Sequence, residues 1–194
     1  RHSFPTRRSS DLVLALSAWS IESSDKIVFR SMHGYTAEKK VLDLFNSSSV
    51  FKRKIERGVL RGENGHPKFY PGMTKSDFLN RIYQIYEENT VVHFKDVWLD
   101  NSIMKNPDGT PIWAILAKFT PSGEKGHFLE KQLRNGCENV CFSIRSITED
   151  YQVGRKIYRD IIEVITFDYV NEPGIHIAEK YKSPALEAIS KGTD

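Results

Sequence analysis

Alternating apolar and polar residues predict several β-strands along this chain. Ile27 and Phe29 alternate with polar neighbours, and residues 12–19 form an apolar run typical of a first strand. The turn Asn106-Pro107-Asp108-Gly109 has residues that favour chain reversal, so we expect the strands on either side of it to form a hairpin. The polar segment 148–156 is interpreted as a loop between the last two strands. The strands are predicted over residues 26–30, 91–99, 112–119, 140–147 and 157–170.

Apolar residues at helical spacing predict four helices between these strands. Thr36 is a suitable N-cap for the first helix, and Thr74 with Asp77 has the spacing of a capping box. The aromatic residues that follow Thr74 are expected to face the core. Gly136 can end the last helix in a left-handed conformation. The helices are predicted over residues 36–44, 47–58, 74–89 and 127–135.

The order of these elements indicates an α+β fold. Many strands with a few interleaved helices, and no regular strand-helix-strand repeat, favour a mostly antiparallel β-barrel or curved sheet flanked by helices. The 194 residues, 39% of them hydrophobic and 27% charged, fit one globular domain with its own core. No apolar run approaches the roughly 20 residues that a membrane-spanning helix needs, so we expect no membrane partner.

The two ends of the chain are expected to lie outside this domain. Residues 1–12 contain Phe4 to Leu12, which resembles the translation of a sequencing-adapter oligonucleotide, and we assign them no structural meaning. They hold three arginines and one aspartate, so the net charge of +3 falls to +1 without them. The predicted organisation is an artefact over 1–12, a single domain over 13–181 and a flexible tail over 182–194.

Composition favours neither nucleic acid nor metal as a partner. The basic run Lys52-Arg53-Lys54 is followed by Glu56 and has no aromatic stacking platform, so it indicates a solvated helix face. Cys137 and Cys141 lack further ligands at zinc spacing and are interpreted as ordinary thiols. We therefore predict no metal site.

Three segments carry the residue types of a serine hydrolase. Ser143 lies in the apolar strand around Phe142, His66 lies on the turn Gly62-Glu63-Asn64-Gly65-His66-Pro67, and Asp168 lies in the last strand. A serine, a base and an acid that orients the base are the parts of a catalytic triad. A half-buried carboxylate such as Asp168 is also difficult to explain by packing, because an uncompensated charge there is costly.

Each position has an alternative that the residues leave open. Ser146 is a second hydroxyl, His93 a second base at the start of a strand, and Glu163 a second acid. Alternation places Ser143 on the strand face opposite Phe142, together with Arg145. The Arg145 cation or the backbone amides beside it could stabilise an oxyanion. His33, His127 and His176 are interpreted as surface or packing residues.

The ordered blocks GENGHP, Val92-His93, Thr120-Pro121-Ser122-Gly123, FSIRS and VITFDYVNEPG resemble the prohead maturation proteases of tailed bacteriophages. The T4-type prohead core protease, whose fold is related to herpesvirus assemblin, is the family it resembles most. The resemblance covers about residues 66–178 and aligns His66 with the family's GE-x-x-HP histidine and Ser143 with its serine. The gap between those two residues is long, and Asn64 stands where the family usually has an apolar residue.

This resemblance implies an assemblin-like fold and a cofactor-free serine endopeptidase. It implies scaffold or core proteins and the major capsid protein as substrates, cleaved after acidic residues inside a phage prohead in the host bacterial cytoplasm. The residues also permit a non-catalytic head or scaffold component, or a hydrolase of small esters. They leave open the cleavage motif and whether the chain forms homo-oligomers. The triad hypothesis places the Ser143 hydroxyl within hydrogen-bond range of His66, or slightly beyond it in a resting structure.

Overall fold

The protein is described by a computed structural model that covers residues 13–23, 28–31, 34–46 and 49–172. Expectations for residues 1–12 and 182–194, and for His33 and His176, lie outside the described residues. The strands are β1 (Val13–Ser23), β2 (Val28–Ser31), β3 (Gly34–Ala37), β4 (Arg61–Glu63), β5 (Thr90–Asp100), β6 (Ile112–Pro121), β7 (Cys141–Val153) and β8 (Lys156–Val170). The helices are α1 (Glu38–Asp43), α2 (Val50–Glu56), α3 (Lys75–Tyr83) and α4 (Gly126–Arg134).

The eight described strands form one sheet in the order β4-β5-β6-β1-β2-β3-β8-β7. Neighbouring strands are antiparallel except β3 and β8, which pair in parallel. The sheet curls strongly into a half-barrel. This curl brings the two ends of the strand order together, and Asn64, directly after β4, forms a parallel bridge with Tyr169 of β8. The structure confirms the predicted α+β fold with a curved, mostly antiparallel sheet.

An aromatic cluster forms the centre of the core. The ring of Phe94 on β5 contacts Phe119 of β6, Phe142 of β7 and Phe167 of β8 in tilted or edge-to-face geometry. Phe51 of α2 belongs to the same core cluster and packs edge to face on Phe167. These rings are almost fully buried, so burial of their apolar surface is a main source of stability.

The hairpin of β7 and β8 has one apolar face and one polar face. Cross-strand pairs Phe142 with Tyr169 and Ile144 with Phe167 lie on the core side. The intervening pair, Ser143 with Asp168, lies on the opposite side because successive residues of a strand alternate between faces. Up to Arg145 the register therefore agrees with the alternation read from the sequence, and a register shift follows between Arg145 and Ser146.

Strand β4 crosses the polar face of β8 at very close range. A Cβ atom at Gly62 would lie 2.1 Å from the carbonyl oxygen of Phe167 and 2.9 Å from Cγ1 of Val92. Only glycine permits this approach. The approach brings the turn after β4 against Asp168, because the backbone N–H of Glu63 donates to Asp168 Oδ1 at 3.0 Å.

Two sequence expectations are wrong in the β7–β8 hairpin and in α1. Residues 148–156 are not a loop, because both strands continue to a two-residue turn at Gly154, whose φ is 63°. A glycine with positive φ at the first central position is what a type II′ turn requires. Thr36 lies in β3 and donates to the Arg159 carbonyl, so Ala37 is the N-cap of α1.

The expectations for α3 and α4 need similar correction. Thr74 and Asp77 form the predicted capping box, but α3 ends at Tyr83. No side chain of α3 is buried, and Leu79 and Tyr83 are 44% and 46% exposed, so its apolar residues do not enter the core. Gly136 does not adopt positive φ, because α4 ends in an extended conformation at Asn135.

We expect Gly62→Ala to lower the free energy of unfolding by about 2 kcal/mol or more, because the new methyl group collides with backbone rather than with a mobile side chain. Gly136→Ala is the matched control: it has no atom within 4 Å of the added Cβ and no positive φ. It should change stability by less than about 0.5 kcal/mol. Urea unfolding of both variants checks this, and equal stabilities would contradict the close approach of β4 and β8.

Candidate functional site

A cavity of about 390 Å³ lies between the β7–β8 hairpin, β1, the turn after β4, and α3. Ser143 and His66 both line it, so the structure brings these two predicted residues into one space. Phe78 and Ile82 of α3 form part of its apolar wall, and Trp19 forms another part. The cavity therefore has a polar base beside mainly apolar walls, which is the usual character of a small-molecule or peptide site.

His66 is joined to Asp168. Its Nδ1 lies 2.8 Å from Asp168 Oδ2, and the ring is 39% exposed while the carboxylate is fully buried. An ionised carboxylate can only accept, so Nδ1 is the donor in this contact, and in the neutral ring Nε2 is then the acceptor nitrogen. This is the tautomer that a histidine needs in order to remove a proton from a hydroxyl.

The buried guanidinium of Arg145 supports Asp168 from the other side. Nε donates to Asp168 Oδ2 at 2.8 Å and Nη2 donates to Oδ1 at 2.7 Å, which makes the pair bidentate. Nη2 also donates to Glu63, and Nη1 donates to the carbonyls of Ile82 and Gln84. All five N–H groups of this side chain are therefore occupied.

Arg145 thus has a different role from the one that the sequence suggested. A guanidinium with no spare donor cannot also bind an oxyanion, so the suggested oxyanion contact from this side chain is corrected. Its position, two residues after Ser143 on the same strand face, agrees with the alternation. The backbone amides beside it are unaffected by this correction.

Glu63 completes a buried group of charges. Its carboxylate is fully buried and accepts from Arg81 at 2.6 and 2.9 Å, from Arg145 at 2.8 Å and from Asn89 at 3.0 Å. Burial alone would raise the pKa of Glu63. The hydrogen bonds from Arg81, Asn89 and Arg145 outweigh burial and hold the pKa at about 2, below the ordinary 4.5. Glu63 is therefore ionised throughout the neutral range.

The alternative base and acid lie elsewhere. His93 Nε2 is 2.9 Å from the carbonyl of Gly58, and its strand neighbours are Arg61 and Thr120. Glu163 pairs across the hairpin with Ile147. Burial raises the pKa of Tyr83, and the negative charge of Glu163 and its hydrogen bond to Tyr83 raise it further. Neither His93 nor Glu163 makes a described contact with His66 or Asp168.

The remaining polar residues divide between the cavity and the surface. Ser146 also lines the cavity, so it stays an alternative hydroxyl by position. His127 is outside it, with Nδ1 at 3.1 Å from the Glu124 carbonyl and its ring on Phe128. Cys137 is exposed and Cys141 is buried, and neither forms a disulfide.

The Ser143 hydroxyl and the His66 ring share the cavity without a hydrogen bond between them among the described residues. Catalytic hydrogen bonds are often long in the absence of substrate and tighten when it binds. The contact that orients the histidine is therefore present, and the contact to the hydroxyl is not formed in this state.

Residues 13–23, 28–31, 34–46 and 49–172 contain no group of three or more His, Cys, Asp and Glu side chains placed to hold a metal ion. None of the helices in that part of the chain is long and apolar enough to cross a membrane.

Sequence reasoning missed Glu63 and Arg81 as parts of the site. Glu63 belongs to the GENGHP block, but its burial depends on the curl of the sheet, which no local pattern shows. Arg81 lies on α3 between Asn80 and Ile82, and its guanidinium stacks 3.6 Å from the centre of the Tyr86 ring. The signal that could have found them is charge balance, since a buried arginine and a buried aspartate seldom stand alone.

We expect the stability that Glu63 provides to depend on pH. Its pKa is lower in the folded chain than in the unfolded chain, so its contribution is complete above about pH 4.5 and disappears as the pH falls to about 2. The difference in unfolding free energy between the parent and Glu63→Gln should therefore shrink by about 3 kcal/mol from pH 6 to pH 2.

Urea unfolding at several pH values measures this difference. Glu130→Gln is the matched control, because Glu130 forms an exposed pair with Arg134 at 2.7 Å. Exposed pairs contribute little, so that control should differ from the parent by less than about 1 kcal/mol at every pH. A Glu63→Gln difference that stays constant across the range would contradict the low pKa.

Comparison with known proteins shows the family of this chain. The chain is 36% identical over 151 residues to a capsid maturation protease of Pseudomonas phage phiKZ, an alignment that covers 75% of this chain and 54% of that protein. The chain thus spans about half the length of this curated relative. No solved structure matches. The model of the Peptidase S80 family matches residues 12–194, nearly the whole sequence, and the chain therefore belongs to the Peptidase S80 family.

Proposed function

We propose that this chain is a serine endopeptidase in which Ser143 is the nucleophile, His66 the general base and Asp168 the acid that orients it. The observation that carries this proposal is the contact between His66 Nδ1 and the buried carboxylate of Asp168, with Ser143 in the same cavity. Membership of a peptidase family supports the same chemistry. Glu163 and His93 have no comparable contacts, which favours Asp168 and His66 over them.

The reaction is acyl transfer to the serine hydroxyl. When substrate closes the gap between the side chains, His66 Nε2 takes the Ser143 proton and Oγ attacks the peptide carbonyl carbon. The C–N bond then breaks, and the same imidazole gives its proton to the leaving amine. Water, activated by His66, hydrolyses the ester and restores the serine.

The oxyanion is stabilised by backbone amides near Arg145 rather than by its side chain. β7 is the end strand of the described sheet and has a strand neighbour on one side only. Its other edge can present backbone N–H groups to a ligand. Such donors stabilise charge that develops during reaction because they are already oriented before substrate arrives.

The substrates that fit this proposal are proteins of an assembling phage head. The phiKZ relative is named a capsid maturation protease, which supports capsid protein and scaffold or core proteins as substrates. The site of action is then the prohead, within the cytoplasm of the host bacterium. The open cavity beside Ser143 has room for the side chains of an extended peptide.

We expect Ser143→Ala to reduce peptide cleavage by about 10⁴-fold or more, because it removes the nucleophile and almost no volume. The assay uses a proteome-derived peptide library, with new termini read by mass spectrometry. Ser146→Ala is the matched control, since it removes a hydroxyl from the same strand and cavity, and it should retain cleavage within about threefold. The reverse ranking would assign the nucleophile to Ser146.

Two further outcomes distinguish the competing functions. A parent chain that hydrolyses p-nitrophenyl acetate but no peptide would be a small-ester hydrolase. A parent that acts on neither substrate, while folded, would support a non-catalytic head or scaffold component and contradict the protease proposal.

A further inference from the structure

Arg145 contacts two different parts of the molecule through one buried guanidinium that is 4% exposed. On one side it holds both oxygens of Asp168 at 2.7 and 2.8 Å. On the other side its Nη1 donates to the carbonyls of Ile82 and Gln84, at 3.2 and 2.9 Å. These two carbonyls lie at the C-terminal end of α3, so a single side chain connects the acid to the helix.

Helix α3 is attached to the body of the protein by polar contacts rather than by buried side chains. None of its side chains is buried, and its own arginine, Arg81, donates both Nη groups to Glu63. Glu63 in turn accepts from Arg145. The end of α3 is therefore held by polar contacts that pass through Arg145 and Glu63, and Tyr83 adds a hydrogen bond to Glu163 of β8.

This same helix forms a wall of the cavity. Phe78 and Ile82, one turn apart, both line it. A peptide that binds beside Ser143 must contact these side chains or displace them. A displacement of Ile82 would change the contacts of Arg145, because Ile82 supplies one of its carbonyl acceptors.

Charge balance explains why these parts should behave as a unit. Glu63 and Asp168 are fully buried carboxylates, and Arg81 and Arg145 are their two cationic partners. Removing one partner from such a group leaves an uncompensated buried charge, which is strongly unfavourable. The group is therefore stable only with all four side chains in place.

We propose that Arg145 is a positioning residue that fixes Asp168 and α3 on one support, so that the cavity wall and the acid behind His66 adopt their working positions together. The catalytic consequence rests on the proposed protease function. Arg145 acts through Asp168 and does not touch the reacting atoms. The planar guanidinium of Arg145 donates five hydrogen bonds to five acceptor oxygens. A lysine ammonium has only three N–H donors and cannot replace all five.

Arg145→Lys keeps the charge and tests the geometry. With a peptide taken from the library assay, kcat should fall about tenfold or more, because the acid and the imidazole lose their fixed orientation. KM should rise as well, because α3 is released. In an Asp168→Asn background the same substitution should change kcat by less than about twofold, since a residue that acts through Asp168 has no further effect once that acid is lost.

A second readout needs no activity. The ¹⁵N chemical shifts of the His66 ring report the Nδ1 contact, and Arg145→Lys should shift them relative to the parent. Arg134→Lys is the matched control, because Arg134 forms an exposed pair with Glu130 on α4; it should leave both the ring shifts and kcat unchanged. Arg145→Lys with parental kcat and ring shifts would overturn the positioning role.

If Arg145→Lys does not fold, Arg81→Lys, which keeps the charge of the buried group, tests the same attachment from the α3 side. It should lower kcat by about threefold or more and shift the His66 ring nitrogens in the same direction. A change in KM alone, with parental kcat and ring shifts, would overturn the coupling. Failure of the protease proposal is recognised separately, since Ser143→Ala would then retain cleavage whatever the ring shifts show.

Discussion

The buried ion pairs between Arg145 and the carboxylates of Asp168 and Glu63 are the interaction on which the rest of the site depends. Two carboxylates with no solvent exposure are stable here because two arginines and a backbone N–H satisfy them. The network also determines geometry. It holds one oxygen of Asp168 toward His66 and leaves the histidine as the exposed member of the group.

The fold creates the conditions for this network. Curling of the sheet brings β4 onto β8, and Gly62 allows the backbones to approach without a side chain between them. Alternation along β7 then assigns Phe142 to the aromatic core and Ser143 to the polar face. The hairpin therefore both contributes to the core that stabilises the sheet and presents the candidate site residues.

Much of this could be predicted from the sequence, and the remainder depends on long-range contacts. The central strands, the β5–β6 hairpin and the capping box at Thr74 follow from local pattern and turn chemistry. The continuation of β7 and β8 through residues 148–156 does not, because those residues are polar on both faces of a projecting hairpin. For α3, the spacing of apolar residues predicts the helix itself. The same spacing occurs in a helix that packs in a core and in a helix that lines a cavity, so it does not predict where these side chains lie.

The site shows the same division. Ser143, His66 and Asp168 could be proposed from residue type and family resemblance, and the charge argument for Asp168 indicated that it must have partners. The identity of those partners, and the full engagement of the Arg145 guanidinium, depend on residues 63, 81 and 145, which are distant in sequence.

The proposed function requires that His66 activates the hydroxyl group of Ser143, and covalent labelling of Ser143 measures this activation directly. The intact chain is incubated at neutral pH with an alkyl fluorophosphonate, which reacts with activated serines, and the modified peptide is mapped by mass spectrometry. We expect one adduct, on Ser143, that is absent from the His66→Ala and Ser143→Ala chains. An adduct on Ser146, or peptide cleavage that continues with Ser143 unmodified and no loss of rate, would contradict it.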